Sequence, residues 1–274
     1  MLMKVIILTD MEGSAGIISW DEFCGLQGRY FEIGRKLTTL EVDAAIEGLL
    51  DAGAKEIVVV GCHYRVIDPA LLHPAANLLD GRPLNYPYGC DKSFDAAVIV
   101  GQHAKSNTDG GHLCHTEGFG CEDQSINGIS VGEIGCFFLS CAYFGVPTVM
   151  LSGDQAACDE ARALVPNIEV APVKWGLKRG SAEGLTAEKN KLFNGAALHL
   201  HPERARVLIR EKAKLGLGRR DEIKPFWVEP PYELISKSRP SEDGKPGEVA
   251  VRKGKDLLEL LSGLRWQQYA LRGG

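Results

Sequence analysis

The sequence predicts an α/β fold: a mostly parallel sheet flanked by helices, with a smaller C-terminal α+β lobe packed on it. Three observations predict it. The runs Val5-Ile6-Ile7-Leu8, Val58-Val59-Val60-Gly61 and Ala97-Val98-Ile99-Val100-Gly101 lack polar alternation, as strands buried on both faces do. Strand-like and helix-like segments alternate through the first part of the chain, which favours parallel pairing with helices on both faces. After Pro166 the alternation gives way to shorter, mixed pieces. The chain is expected to be a single unit over residues 1–270, with an α/β core at 1–166 and the smaller lobe at 167–270.

The elements follow in order. A first strand runs from Lys4 to Asp10, and a glycine-bearing loop leads through Trp20 to Gly25. Thr38-Thr39-Leu40-Glu41 has capping-box spacing and opens a helix that Gly53 stops. Glu56 to Gly61 is the second strand. Four prolines between Arg65 and Asp91 mark loop with short pieces of structure. Ala96 to Gly101 is the third strand, followed by a glycine-rich stretch that carries His112 and His115. Ile126-Asn127-Gly128-Ile129 signals a two-residue hairpin. A helix follows Glu133 and ends by Gly145. A strand covers Pro147 to Ser152, and Asp154 caps a helix over Gln155 to Leu164. Beyond Pro166 the sequence predicts a strand at Glu169 to Val173 and a helix capped by Thr186. A second helix has Pro202 in its first turn. Next come a strand around Pro230-Pro231, a surface loop at Ser241 to Gly247, and a terminal helix from Gly254 using Leu257, Leu260, Leu261, Leu264 and Tyr269.

Net charge is -5, and no basic stripe interleaved with aromatics is present, which argues against nucleic acid and anionic membranes as partners. No apolar run approaches the roughly 20 residues of a membrane span. The start runs straight into a strand, and the eight cysteines form no CxxC pair. A cytoplasmic location with reduced thiols is therefore expected.

The chemistry gathers at the carboxyl ends of the apolar strands, the edge where open α/β sheets bind ligands. Asp10 and Glu12 follow the first strand, two residues apart and so on one side of extended chain. His63 follows the second strand and His103 the third; Glu133 opens a helix. Carboxylates mixed with imidazoles suit zinc, manganese, iron or cobalt and not calcium or magnesium. Five such groups exceed the needs of one catalytic zinc and fit two metals roughly 3.5 to 4 Å apart with Asp10 bridging. Taken singly, each group also has a plain structural role as cap, turn former or hydrogen-bonded loop residue. His115 is the candidate proton carrier, with His112 as the alternative. Cys62 and Cys114, each followed by a histidine, keep a cysteine-dependent amidohydrolase open. A non-catalytic metal- or ligand-binding α/β protein is the third reading. His73, His199 and His201 are expected to be structural.

With these residues in hand, the chain resembles the D-aminopeptidases of the dipeptide-transport operon type, peptidase family M55. The resemblance lies in Thr9-Asp10-Met11-Glu12-Gly13, His63, His73-Pro74, Gly101-Gln102-His103-Ala104, Cys114-His115, Val131-Gly132-Glu133-Ile134-Gly135 and Ser152-Gly153-Asp154. It implies a metallo-aminopeptidase hydrolysing short peptides with D-amino-acid N-termini by a two-metal activated water. Asp10, Glu12, His63, His103 and Glu133 would hold two zinc ions per subunit, and His115 would be catalytic. It also implies a self-compartmentalised homodecamer. Thr9 and Cys114 stand where the family has serine, and the stretch from Gly184 to Leu200 is longer than in the best-known member.

Overall fold

β1 (Lys4–Thr9) is the spine of the molecule, because both of its neighbours run parallel to it. A computed structural model describes residues 2–270, apart from the side chains of 264–270. On one side of β1 lie β2 (Glu56–Gly61) and β3 (Ala76–Leu79). On the other lie β4 (Ala96–Gln102), β7 (Thr148–Asp154), β8 (Glu169–Gly176) and β9 (Ala197–His199). Only β9 runs antiparallel in this seven-stranded sheet. The chain leaves β1 towards β2 and returns to β4 on the far side. The strand order therefore reverses between β1 and β4, which opens a crevice at their carboxyl ends. Every residue of β4 and of β7 is buried, as the unbroken apolar runs require.

Two helix pairs flank the sheet: α1 (Phe31–Asp51) with α5 (Pro202–Gly218), and α2 (Glu133–Ala142) with α3 (Gln155–Leu164). The α1–α5 approach depends on Gly48, where a Cβ would lie 2.2 Å from the Arg210 carbonyl oxygen. Asp154 caps α3 by accepting the Ala157 N–H at 2.7 Å. Thr186 likewise caps α4 (Ala187–Phe193), and Pro202 opens α5. The hairpin joins β5 (Cys121–Ile126) to β6 (Ile129–Ser130) through Asn127 (φ 50) and Gly128 (φ 79), a turn positive at both central residues.

Four expectations change. α1 begins at Phe31, not near Thr38; both threonines are buried inside it, with Thr39 Oγ1 donating to the Arg35 carbonyl and Thr38 Oγ1 to Ser14 Oγ. The hydroxyls therefore serve packing, and the capping-box spacing is coincidental. The strand near Pro230-Pro231 starts only after the prolines, as β10 (Tyr232–Ser238), because proline has no N–H for a ladder. β11 (Val249–Gly254) pairs with β10 in a segment where no strand was expected. The expected boundary at residue 166 does not separate the two sheets. The smaller antiparallel sheet, ordered β11-β10-β5-β6, takes β5 and β6 from before it, while β8 beyond it joins the main sheet. α6 (Leu257–Ala270) buries Leu257, Leu260 and Leu261; the side chains of Leu264 and Tyr269 lie outside the described residues.

The loop after β1 is held against β4 by close backbone contact. Asp10 N donates to the Val100 carbonyl at 2.9 Å and Gly13 N to the Gly101 carbonyl at 2.7 Å. Gly101 has φ +75, and a Cβ there would lie 2.3 Å from the Asp10 carbonyl oxygen. Gly101→Ala is expected to lower stability by more than about 2 kcal/mol, measured by urea unfolding. Glu41 of α1 supports the same loop, accepting the Ala15 N–H at 2.8 Å. Burial raises its carboxyl to about 7. The folded chain thus holds this proton more tightly than the unfolded one. The stability Glu41 contributes is therefore full below its unfolded value and lost as pH rises through about 7. The stability of wild type relative to Glu41→Gln should fall by on the order of 3 kcal/mol between pH 4.5 and 8, read by unfolding at each pH.

Candidate metal centre

Asp10, Glu12, His63, His103, His115 and Glu133 converge at the β1/β4 crevice. Their donor atoms form two groups, Asp10–Glu12–His63 and His103–His115–Glu133, with the atoms of each group within 4.8 Å of one another. Asp10 lies between the groups. Its Oδ1 is 3.5 Å from His63 Nδ1, and its Oδ2 is 3.4 Å from His103 Nε2. Glu12 Oε1 is 3.1 Å from His63 Nδ1, and Glu133 Oε1 is 3.6 Å from His103 Nε2. The two-residue spacing does bring the first two carboxylates together: the Met11 N–H donates to Asp10 Oδ1 at 2.9 Å and reaches Glu12 Oε2 at 3.3 Å.

Each imidazole is oriented by a backbone carbonyl on its outer nitrogen, as metal-ligating histidines are. His63 Nε2 donates to the Cys24 carbonyl (2.9 Å), which turns Nδ1 inward. His103 Nδ1 donates to the Ala104 carbonyl (2.9 Å) and His115 Nδ1 to the Leu113 carbonyl (2.8 Å), which turns both Nε2 atoms inward. The His103 and His115 rings stack with centroids 3.9 Å apart, and Phe119 stacks on the outer face of His115.

Sequence reasoning missed two contributors. Gln102 Nε2 donates to Asp10 Oδ2 at 2.9 Å, and Trp20 Nε1 donates to Glu12 Oε1 at 3.0 Å. A signal existed for Gln102, a polar residue closing a strand that is otherwise wholly apolar. Trp20 arrives from a short π-helical turn, Trp20–Cys24, whose position no local pattern reveals. His112, the alternative proton carrier, belongs to neither group: it is buried edge-to-face against His199, and burial lowers its pKa to about 2. Cys114 is fully buried, and burial followed by the Asp154 charge pushes its thiol to about 12. A thiolate nucleophile is excluded there at neutral pH.

The electrostatics are those of an anionic site that wants a cation. Burial, then the Glu12 charge, raises Asp10 to about 7. Burial opposes the charged form of Glu12, yet His63 and Asp10 hold it well below the usual carboxylate range. Burial also opposes the imidazolium of His103, but Glu133, Asp10 and Glu12 lift it to about 9. His115 goes the other way: burial and the neighbouring His103 lower it to about 4, so it is neutral at pH 7. His103 Nε2 is buried without a hydrogen-bond partner, facing two carboxylates. That orphaned atom, with mixed oxygen and nitrogen donors, fits a transition-type divalent cation.

Comparison with known proteins identifies the family. The family model Peptidase_M55, described as D-aminopeptidase, matches residues 3–192. A D-aminopeptidase of Bacillus subtilis (strain 168) is 31% identical, over 94% of this chain and 93% of its own. The solved structure of the Zn-dependent D-aminopeptidase DppA from Bacillus subtilis, a self-compartmentalizing protease, superposes with a TM-score of 0.83 at 27% identity, covering 99% of each chain. With strand-end carboxylates and imidazoles meeting at one crevice, and with these matches in sequence and structure, the chain belongs to the M55 family of D-aminopeptidases.

Proposed function

We infer that the chain is a zinc-dependent aminopeptidase that hydrolyses short peptides carrying D-amino-acid N-termini. One observation carries this reading: two donor groups adjoin at the β1/β4 crevice, with the Asp10 carboxylate 3.5 Å from His63 Nδ1 of its own group and 3.4 Å from His103 Nε2 of the other. Asp10, Glu12 and His63 would hold one zinc ion; Asp10, His103 and Glu133 would hold the second. When bound, such a pair supplies Lewis acidity to a scissile carbonyl and brings the pKa of water towards 7.

The remaining work falls to the chain's own groups. His115 Nδ1–H is fixed on the Leu113 carbonyl, so Nε2 offers a lone pair to the site. That nitrogen is placed to take a proton during attack and return it to the leaving amine. Glu133 Oε1, 3.9 Å away, steadies the imidazolium formed meanwhile. Phe119 on the outer face of His115 and Trp20 beside it, their rings 5.9 Å apart, keep bulk water from the imidazole. Gln102 and Trp20 hold the carboxylates of Asp10 and Glu12 in their inward positions.

Likeness to a self-compartmentalizing protease supports a homo-oligomer here, a decamer by the family pattern, in which confinement would select small peptides. No helix among the described residues is long and apolar enough to cross a membrane. No disulfide joins the cysteines among the described residues, and we place the chain in the cytoplasm as the sequence suggests.

Dialysis against a chelator should abolish cleavage of a D-Ala-containing dipeptide, and zinc should restore it. Unchanged turnover after verified metal removal would refute the reading. His115→Ala should keep two zinc equivalents while kcat falls by about 100-fold or more. Zinc lost in parallel with turnover would reassign His115 to the metal.

A further inference from the structure

Lys174 is the one lysine among the described residues that is fully buried, and it stands in a strand that is otherwise nearly apolar, Val170-Ala171-Pro172-Val173. It pairs in register with Asp154 at the carboxyl ends of β8 and β7. From there its ammonium reaches under the loop that follows β1. Its Nζ donates to the Glu12 carbonyl and lies 3.4 Å from the Ile17 carbonyl. The carboxyl groups that favour its charged form are Asp154, Glu41 and Glu12. Two of these also hold backbone around the site: Glu41 takes the Ala15 N–H, and Asp154 takes the His112 N–H at 3.0 Å.

A buried ammonium is costly unless it is hydrogen-bonded and paired, so its position is tightly specified. Here it is spent on the main chain of the residue whose side chain faces the cation site. The Glu12 peptide has little freedom left, because Gly13 is already pinned to the Gly101 carbonyl. Fixing the Glu12 carbonyl from below fixes where its carboxylate points above.

We propose that Lys174 is a positioning residue for the metal centre: by gripping the Glu12 carbonyl, it aims the Glu12 carboxylate at His63 and the shared Asp10. This rests on the two-metal reading of the crevice. Its role is distinct from that of Gln102 and Trp20, which touch the carboxylates themselves.

The test compares full-length wild type, Lys174→Met, Glu12→Gln and the double variant by zinc titration against a competing chelator, with circular dichroism to verify folding. Wild type should bind two zinc equivalents. Lys174→Met should bind one with wild-type affinity and the other at least tenfold more weakly. Lys174→Met should add little to the loss already caused by Glu12→Gln, since both act through one carboxylate. Should the Met variant not fold, Lys174→Gln, whose amide tolerates the polar site but ends one bond short of the Glu12 carbonyl, carries the same comparison. Two tight zinc ions in a folded Lys174 variant would overturn the proposal, as would losses that simply multiply in the double variant. Wild type that binds no zinc would instead overturn the metal reading itself.

Discussion

Two carboxylates that cannot comfortably both be charged set the terms for everything around them. Asp10 and Glu12 are buried side by side, bridged by the Met11 N–H and by His63 Nδ1. Burial alone would leave at least one protonated. The chain surrounds them with donors instead: His63 and His103 inside, and Gln102 and Trp20 at the margins. A divalent cation is the partner that satisfies such a site most fully, because it replaces repulsion with coordination and uses the otherwise orphaned His103 Nε2. Burial and the Glu12 charge raise Asp10 against the opposing pull of His103, while Glu133 and Asp10 raise His103 against its burial, so both shifts report an excess of buried negative charge.

The fold makes this concentration of charge tolerable by making its backbone dense. Three glycines close on the end of β4. A Cβ at Gly13 would lie 2.1 Å from the Gln102 carbonyl oxygen, one at Gly153 1.8 Å from the same atom, and one at Gly101 2.3 Å from that of Asp10. The ends of β1, β4 and β7 therefore approach more closely than side-chain-bearing strands could. This proximity lets groups separated by about a hundred residues of sequence act as one site. Rigid strand ends also hold ligands more accurately than free loops do.

Much of this was legible in the sequence. Apolar runs closed by Asp10, His63 and His103 give both the strands and the edge where ligands gather, because several carboxylates and imidazoles recur at the same strand ends. The caps at Asp154 and Thr186 and the Asn127-Gly128 turn are local chemistry and were equally readable. What was not legible depends on contacts between distant segments. α1 extends a further turn and more because its first residues pack near the Trp20–Cys24 turn, so Thr38 lies mid-helix despite its capping-box spacing. β5 leaves the N-terminal part to pair with β10, a partnership more than a hundred residues away that no periodicity encodes. β11 is an edge strand with exposed Val249 and Val251, so its alternation has no buried face to make it recognisable. Lys174 was passed over because a single charge in a strand carries no motif.

The wall of rings beside His115 is built from segments with little sequence signature. Phe119 stacks on His115, Trp20 meets Phe119 edge-on, and the Lys191 ammonium lies 5.2 Å from the Trp20 ring and 5.5 Å from the Phe119 ring. Lys191 belongs to α4, within the stretch from Gly184 to Leu200. Arg239, donating to the carbonyls of Ala182 and Leu185, anchors the approach to that helix, and Asn190 Nδ2 reaches back to the Cys114 carbonyl next to His115. The imidazole is thus braced by the metal-facing layer on one side and by an aromatic layer on the other. The donor cluster and the wall over His115 are consequently set by different parts of the chain: the first by strand ends whose spacing is dictated by glycine, the second by a short helix and two rings. Variation in α4 can therefore repack the rings over His115 without disturbing Asp10, with which no α4 residue forms a hydrogen bond or ion pair among the described residues.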